Sequence, residues 1–339
     1  MFFPLLWRVS LATILGLCLG YLAVRIISPA SPSPTSPERR DGNFAARLSL
    51  IRQATTGELI SLQIAPFEVG VNQFRVNLLD PIGQTRMLDT ASLKVSQLES
   101  SDVPVEVGST ASGQSREGSF SLTGPGWWQI DAVMNSASVA SFYLKLDQPS
   151  NAPGSFAPPS STSDKQAETM FGAALSRYES LRGLFAREEL ASGEPGPTGS
   201  GVWFLSNIAF NRQGFHATTL GLGEGSSETY SGPTNQCVRQ NRDPWTCSPG
   251  PAPLGAFDLG YLGNAIGFAF GRKEMVDGER AQVVFFYNPS QQAWYAWWVG
   301  EDTLFVRRQA MVAPGHIMLN QFSQHDSLVS IEPKELPLR

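Results

Sequence analysis

Histidine and cysteine are scarce in this chain, with three of each among 339 residues. Imidazole is the usual general base and metal ligand near neutral pH, so few sites of either kind can be built from this composition. The common signatures of catalysis are missing as well. There is no G-x-S-x-G elbow, no H-E-x-x-H pair, no glycine-rich phosphate loop before a helix, and no carboxylate pair set in an apolar run. The expectation is a protein that is not an enzyme. Positive charge is also short, 25 Lys and Arg against 30 Asp and Glu, for a net charge of −5. Without a basic stripe there is no phosphate-binding surface, and nucleic acid is not expected as a partner. No internal repeat is present. What remains is the composition of a folded protein, 42% apolar and 10% aromatic.

One long apolar run stands out. Residues 1–27, MFFPLLWRVSLATILGLCLGYLAVRII, are interrupted only by Arg8 and Arg25, both near the ends. As a helix, Phe2 to Ile27 would reach roughly 39 Å, more than the ~30 Å hydrocarbon core. Arginines near its ends can lift their guanidinium groups to the headgroups. A transmembrane anchor is expected, with a cleaved signal peptide as the alternative, because Arg8 before an apolar run also has the form of an n-region and h-region. Leu17 stands before Cys18, where lipoprotein acylation wants a small residue. Arg8 on one side and Arg25, Arg39 and Arg40 on the other leave the orientation open.

The two remaining cysteines address it. Cys237 and Cys247 bracket the loop CVRQNRDPWTC, and a disulfide is expected there, two free thiols being the alternative. Closing about eleven residues would contribute roughly 3 kcal/mol in the chain-entropy account, and such a bond persists only in an oxidising compartment. That places the bulk of the chain outside the cytoplasm. No further cysteine or histidine lies at ligand spacing, which disfavours zinc.

Residues 28–42, SPASPSPTSPERRDG, and 148–163, QPSNAPGSFAPPSSTS, are rich in Pro and Ser. The first reads as a stalk, which at ~3.1 Å per residue would extend roughly 40 Å or more. The second reads as a linker. They bound two modules, 43–147 and 164–339. The first shows period-2 runs separated by turns: ARLSLIR, ELISLQIAP, NQFRVNLLD, SLKVSQL, GSFSLT, WWQIDAVM and ASFYLKL. In NQFRVNLLD, Phe74, Val76 and Leu78 share one face while Gln73, Arg75 and Asn77 share the other, the pattern of a sandwich strand with one buried side. The second opens with a helix. Ser163 and Gln166 have capping-box spacing, and Ala167, Met170, Phe171, Ala174, Leu175, Tyr178 and Leu181 follow at helical period before Gly183. Strand-like runs come next: LFAREELAS, GVWFLSNIAF, FHATTLGL, AQVVFFYN, QAWYAWWVG, TLFVRRQAMVA and HIMLNQFS. The stretch FDLGYLGNAIGFAFG stays open between helix, strand and loop.

In the first module, Ala65-Pro66, Gly70, Asn72-x-Phe74-x-Val76-x-Leu78, Asp80-x-x-Gly83, Gly118-x-Phe120 and Gly126-Trp127-x-x-Ile130 occur in succession. This series resembles the immunoglobulin-like YtkA-like domain at the extracytoplasmic end of bacterial copper-resistance D proteins, over most of residues 57 to 145. In the second, an N-terminal helix precedes an antiparallel meander with Trp298-x-x-x-x-Thr303, Met311-x-x-x-x-His316-x-Met318 and Ile331-x-Pro333. This resembles the LolA-like lipoprotein-carrier superfamily over roughly residues 165 to 333. The resemblances imply an immunoglobulin-like sandwich followed by a half-open antiparallel barrel with an N-terminal helix, and association with lipid or with copper. With the apolar run and the cysteine pair, the expectation is a mainly β protein behind an N-terminal transmembrane helix, single-pass in the bacterial cytoplasmic membrane. The first resemblance carries over no ligand set. Residues 43–147 hold no histidine or cysteine, and Met87 and Met134 are their only sulfur donors.

Two candidate sites follow. Trp294, Ala296 and Trp298 lie on one face of QAWYAWWVG, and Tyr295, Trp297 and Val299 on the other, so neither face suits water. One face can line a groove for an apolar ligand, with Phe171, Tyr178, Phe285, Tyr287, Trp294 and Trp298 as the candidate lining. The other must pack on a loop, the first module or a partner. A well-covered core without ligand is the alternative. The second candidate is a copper site of Met311, His316 and Met318; a hydrogen-bonded histidine beside two core methionines is the plainer reading. The function expected is a membrane-anchored, extracytoplasmic binding or accessory protein that holds a lipid, an acyl chain or a lipoprotein. The alternatives are a copper-homeostasis accessory protein, with copper as its one cofactor, and an envelope-stress sensing module with an unknown protein partner.

Overall fold

The computed structural model describes residues 48–135, 138–146, 163–191, 203–250, 262–313 and 316–333. The expected anchor and stalk, and the linker apart from Ser163, lie outside them. Among the described residues no helix is long and apolar enough to cross a membrane. The described structure is mainly β.

The alternating runs of the first module become two packed antiparallel sheets. One runs in the order β1 (Leu48–Gln53), β2 (Leu59–Ala65), β3 (Gly70–Leu79), β8 (Ser115–Leu122), β7 (Thr110–Ser112), with β4 (Thr85–Arg86) paired to the end of β3. The other runs β10 (Ser138–Leu146), β9 (Gly126–Met134), β5 (Ala91–Gln97), β6 (Val105–Gly108). The short strands β4, β6 and β7 are mostly exposed, and so leave no hydrophobic alternation in the sequence. Phe74 and Val76 are buried as their spacing requires, but at the end of β3 it is Leu79 rather than Leu78 that is sealed. Leu79 there joins Ile51, Leu59, Trp203 and Leu205, so the strand end serves a contact with the second module.

The second module is one antiparallel sheet of eleven strands with a helix laid on it. Its order is β16 (Thr246–Pro249), β15 (Asn235–Gln240), β14 (Gly225–Ser231), β13 (Gly214–Gly221), β12 (Trp203–Asn211), β11 (Gly183–Ala191), β21 (His316–Ser323), β20 (Val306–Ala313), β19 (Ala293–Gly300), β18 (Glu279–Asn288), β17 (Ile266–Val276). Two meanders, β11 to β16 and β17 to β21, are joined where the last strand pairs with the first. No pairing closes β16 onto β17 among the described residues, so the sheet is open.

Helix α1 (Lys165–Glu179) is capped by Asp164, whose Oδ1 accepts from the Gln166 and Ala167 backbone N–H groups at 2.8 and 3.2 Å. The cap is one residue later than the Ser163–Gln166 spacing suggests. Ser163 instead accepts the Gly267 N–H at 3.1 Å, which fastens the helix start to β17. The helix ends at Ser180, and Gly183 opens β11 rather than stopping the helix. Glycine is required there because a Cβ would sit 2.3 Å from the Ser327 carbonyl oxygen. Of the glycine-spaced stretch 257–271, open between three states in the sequence, residues 266–271 begin strand β17 (Ile266–Val276), and residues 257–261 lie outside the described ones.

Both faces of this sheet are covered, which accounts for the two-sided apolar strands. On one face Val284, Phe286, Tyr295, Trp297, Met311 and Phe322 form a core with Phe171, Ala174 and Tyr178 of α1. On the other, Val283, Phe285, Tyr287, Trp294, Trp298 and Ile317 are buried in one cluster with the sandwich. Trp127 stacks on Phe285 with centroids 5.8 Å apart, and Tyr143 meets Trp298 edge-on at 4.9 Å. Arg308 Nη1 donates to the Tyr143 hydroxyl at 2.6 Å, and Lys145 lies over the Trp294 ring.

Polar contacts fix the same seam. The Arg272 N–H donates to the Leu98 carbonyl at 2.7 Å. A Cβ on the adjacent Gly271 would meet the Phe285 ring at 2.7 Å and Leu98 O at 2.8 Å, so backbones approach too closely there for any side chain. Buried Glu189 of β11 accepts from the Gln53 N–H at 2.8 Å, from Arg187 Nη1 at 2.7 Å and from the Trp203 indole at 3.2 Å, while Arg52 Nη1 donates to its carbonyl at 2.9 Å. The module left open as a partner for the second face is therefore the first one.

Candidate functional site

Between α1 and the helix-side face of the sheet lies a cleft lined by Tyr178, Ile208, Phe210, Trp297, Val306 and Phe322, among others. The space open to the centre of a water molecule is about 20 Å³, room for little more than one water. A larger occupant would need one wall to move. Helix α1, which contributes Tyr178 to the lining, packs on β17 and β18, whereas the opposite face of the sheet is packed against the sandwich.

A polar row crosses this otherwise apolar face. Registers place Thr219, Ser206, Glu188, Asn320, Gln309 and Trp297 side by side on β13, β12, β11, β21, β20 and β19. Ser206 and Thr219 bond each other at 2.8 Å, and Gln309 Oε1 accepts the Trp297 indole N–H at 2.9 Å. Glu188 and Asn320 have no side-chain hydrogen-bond partner among the described residues, and both line the cleft. Burial, with no compensating cation, pushes the Glu188 carboxyl up to about 7. Among the described residues none of the lining is Lys, Arg or His.

The six residues expected to line a groove do not share a face. Phe171 and Tyr178 lie on the helix side, where Phe171 sits 4.7 Å from Phe286 and 5.1 Å from Trp297 between ring centroids. Phe285, Tyr287, Trp294 and Trp298 lie on the sandwich side and are sealed by it. The alternation separates odd from even positions, but in VVFFY and AWYAWW both sets are apolar, and the set facing α1 is the one not selected. Of the copper candidates, Met311 and Met318 are direct cross-strand partners, both buried in the apolar core under α1. His316 pairs with Ala313 in the backbone, and its side chain lies outside what the structure describes. Among the described residues no group of three His, Cys, Asp or Glu could hold a metal ion. His216 pairs with Glu228 at 3.3 Å, and His325 stacks on Phe305 at 4.5 Å.

Cys237 and Cys247 are bonded. They are direct partners in a ribbon of two strands, β15 and β16, where the sequence suggested a loop. Both strands are polar and short, which hid them.

The residues missed by sequence, Glu188, Asn320 and Gln309, did leave a signal. Each occupies the apolar parity of its own strand: Leu184, Ala186 and Glu188; Met318, Asn320 and Phe322; Gln309, Met311 and Ala313. One polar residue repeated at the same level of three neighbouring strands marks a site only once the register is known.

No family model matches the chain, and no curated protein matches it in sequence. Solved structures do. Lipoprotein LppX of Mycobacterium tuberculosis matches at 12% identity and a TM-score of 0.37, over 50% of this chain and 100% of its own. LprF of Mycobacterium bovis matches at 9% identity and 0.37, over 51% and 99%. A LolA superfamily protein of Nitrosomonas europaea matches at 8% and 0.22, over 49% and 94%. At these scores the likeness is one of outline.

Proposed function

We propose that this chain is a non-enzymatic, membrane-tethered binding protein acting outside the cytoplasm, which takes an apolar ligand such as a lipid or acyl chain into the cleft beneath α1. The observation that carries this is an open sheet whose helix-side face is aromatic and aliphatic, is crossed by a single polar row, and is covered by one helix. The bonded cysteines suit the oxidising compartment. The sandwich, in this reading, is of immunoglobulin type: β2-β3-β8-β7 packed on β10-β9-β5-β6 follows the A-B-E-D and G-F-C-C′ order of that fold. It acts as the rigid backing of the binding sheet and holds no ligand itself.

The test is native mass spectrometry of the full chain purified from a bacterial envelope, before and after organic extraction. A lipid-sized mass that disappears on extraction and returns on incubation with lipid supports the proposal. A bare protein that takes up none, and whose Phe171→Ala and Trp297→Ala variants behave alike, overturns it.

A further inference from the structure

The apolar lining residues Ala186, Ile208, Phe210 and Phe322 lie to one side of the polar row, and among the described residues of the lining Glu188 is the one charge-bearing group. Its neighbours on the row differ in what they can still accept. Ser206 and Thr219 are engaged with each other. Gln309 uses its oxygen on Trp297, which leaves its amide N–H groups facing the row. Asn320, between Glu188 and Gln309 in the register, has a whole amide without a partner among the described residues. Glu188 is half-buried and its carboxyl has no partner among the described residues, so its ionised form gains when a ligand brings hydrogen-bond donors or a positive charge to it. A ligand with an anionic head would meet the reverse, since among the described residues no cation lines the cleft and the one acid would have to stay protonated.

We infer that Glu188, followed along the row by Asn320 and then Gln309, selects what enters the cleft, favouring an amphiphile whose head donates hydrogen bonds, an amine above all, over one with an anionic head. The inference rests on the apolar-ligand function proposed above and adds the chemistry of the head. The chain of such a ligand lies along Tyr178, Phe210 and Phe322, with its head at the middle of the sheet rather than at the cleft mouth. Glu188 is a specificity-determining residue: it discriminates between heads, while the aromatic walls supply affinity common to all.

The experiment compares dodecylamine, dodecanol and dodecanoate, each below its micellar concentration, binding to the full chain and to its E188Q and N320L variants by displacement of a fluorescent fatty probe. The wild type is expected to bind the amine on the order of tenfold or more tighter than the carboxylate, with the alcohol between them. E188Q, nearly isosteric, should bind the alcohol about as well and lose most of the difference between amine and carboxylate. N320L should weaken amine and alcohol together. Binding of all three without discrimination, or discrimination that survives E188Q, overturns the assignment of Glu188 while leaving the apolar-ligand function standing. No displacement by any of the three overturns both. If E188Q fails to fold, unchanged discrimination in N320L with a folded far-UV spectrum overturns the row as the selecting element.

Discussion

Glu188 and His325 lean opposite ways with pH. Burial raises Glu188 from an ordinary 4.5 to about 7, so between those values the unfolded chain gives up its proton first and stability falls as pH rises. His325 is lowered from 6.5 to about 4, chiefly by burial, with Nε2 at 3.0 Å from the Val306 carbonyl and Arg307 close to Nδ1. Between 6.5 and 4 the unfolded chain takes the proton first, and stability falls as pH drops. E188Q should therefore melt higher than wild type at pH 8, by about 1–3 kcal/mol, with the gap closing near pH 4.5. His325→Phe should keep the stack on Phe305 while flattening the acid limb. Thermal melts at pH 4.5, 6 and 8 check both, and parallel curves for all three proteins would contradict the burial of these groups. Gly271→Val is expected to cost about 1–3 kcal/mol or more, because its side chain would enter the space of Phe285 and the Leu98 carbonyl. A melt at neutral pH reads it directly.

At the scale of elements, the disulfide ribbon and the buried Glu189 seam make contrasting demands. Reducing Cys237–Cys247 frees only a polar edge ribbon, so the expected loss, up to roughly 3 kcal/mol, falls on β15 and β16, and hydrogen exchange should quicken there first. Glu189→Ala leaves buried Arg52 and partly exposed Arg187 without the nearby carboxylate and should cost about 3–5 kcal/mol, read by denaturant unfolding. The strands carrying hydrophobic alternation, from β1 to β21, are legible in the sequence because one or both of their faces are apolar. The exposed β6 and β7 and the polar β14 to β16 are not, because their pairing comes from neighbours rather than from their own burial. For the candidate site the sequence showed that Trp297 and Trp298 point apart, and that both sides need covering. It could not show which tryptophan meets α1, since that depends on where the sandwich docks. Glu188 went unseen for a related reason: parity in LFAREELAS sets it with Leu184 and Ala186, but only the register shows that Asn320 and Gln309 stand level with it.

At the scale of the molecule, one hydrophobic cluster runs from the sandwich strands through the sandwich-side face of the large sheet, without a solvated break. The two modules should thus unfold together. Calorimetry of the full chain is expected to show a single transition, and two well-separated transitions would contradict the shared core. Breaking the seam with Trp298→Ala should lower that transition by about 3–5 kcal/mol, since Trp298 is fully buried between Tyr143 and β18.

The seam also decides how a mechanical load would travel. The chain enters the described fold at β1, and within that first strand Arg52 and the Gln53 N–H already grip Glu189 on β11, near the middle of the eleven-strand sheet. A pull on the N-terminal side therefore reaches the eleven-strand sheet after a handful of residues, instead of through the length of the sandwich. The sandwich acts as a splint alongside the line of force. Helix α1, on the opposite face, lies off that line, so such a load would bear on the sheet before it bore on the helix.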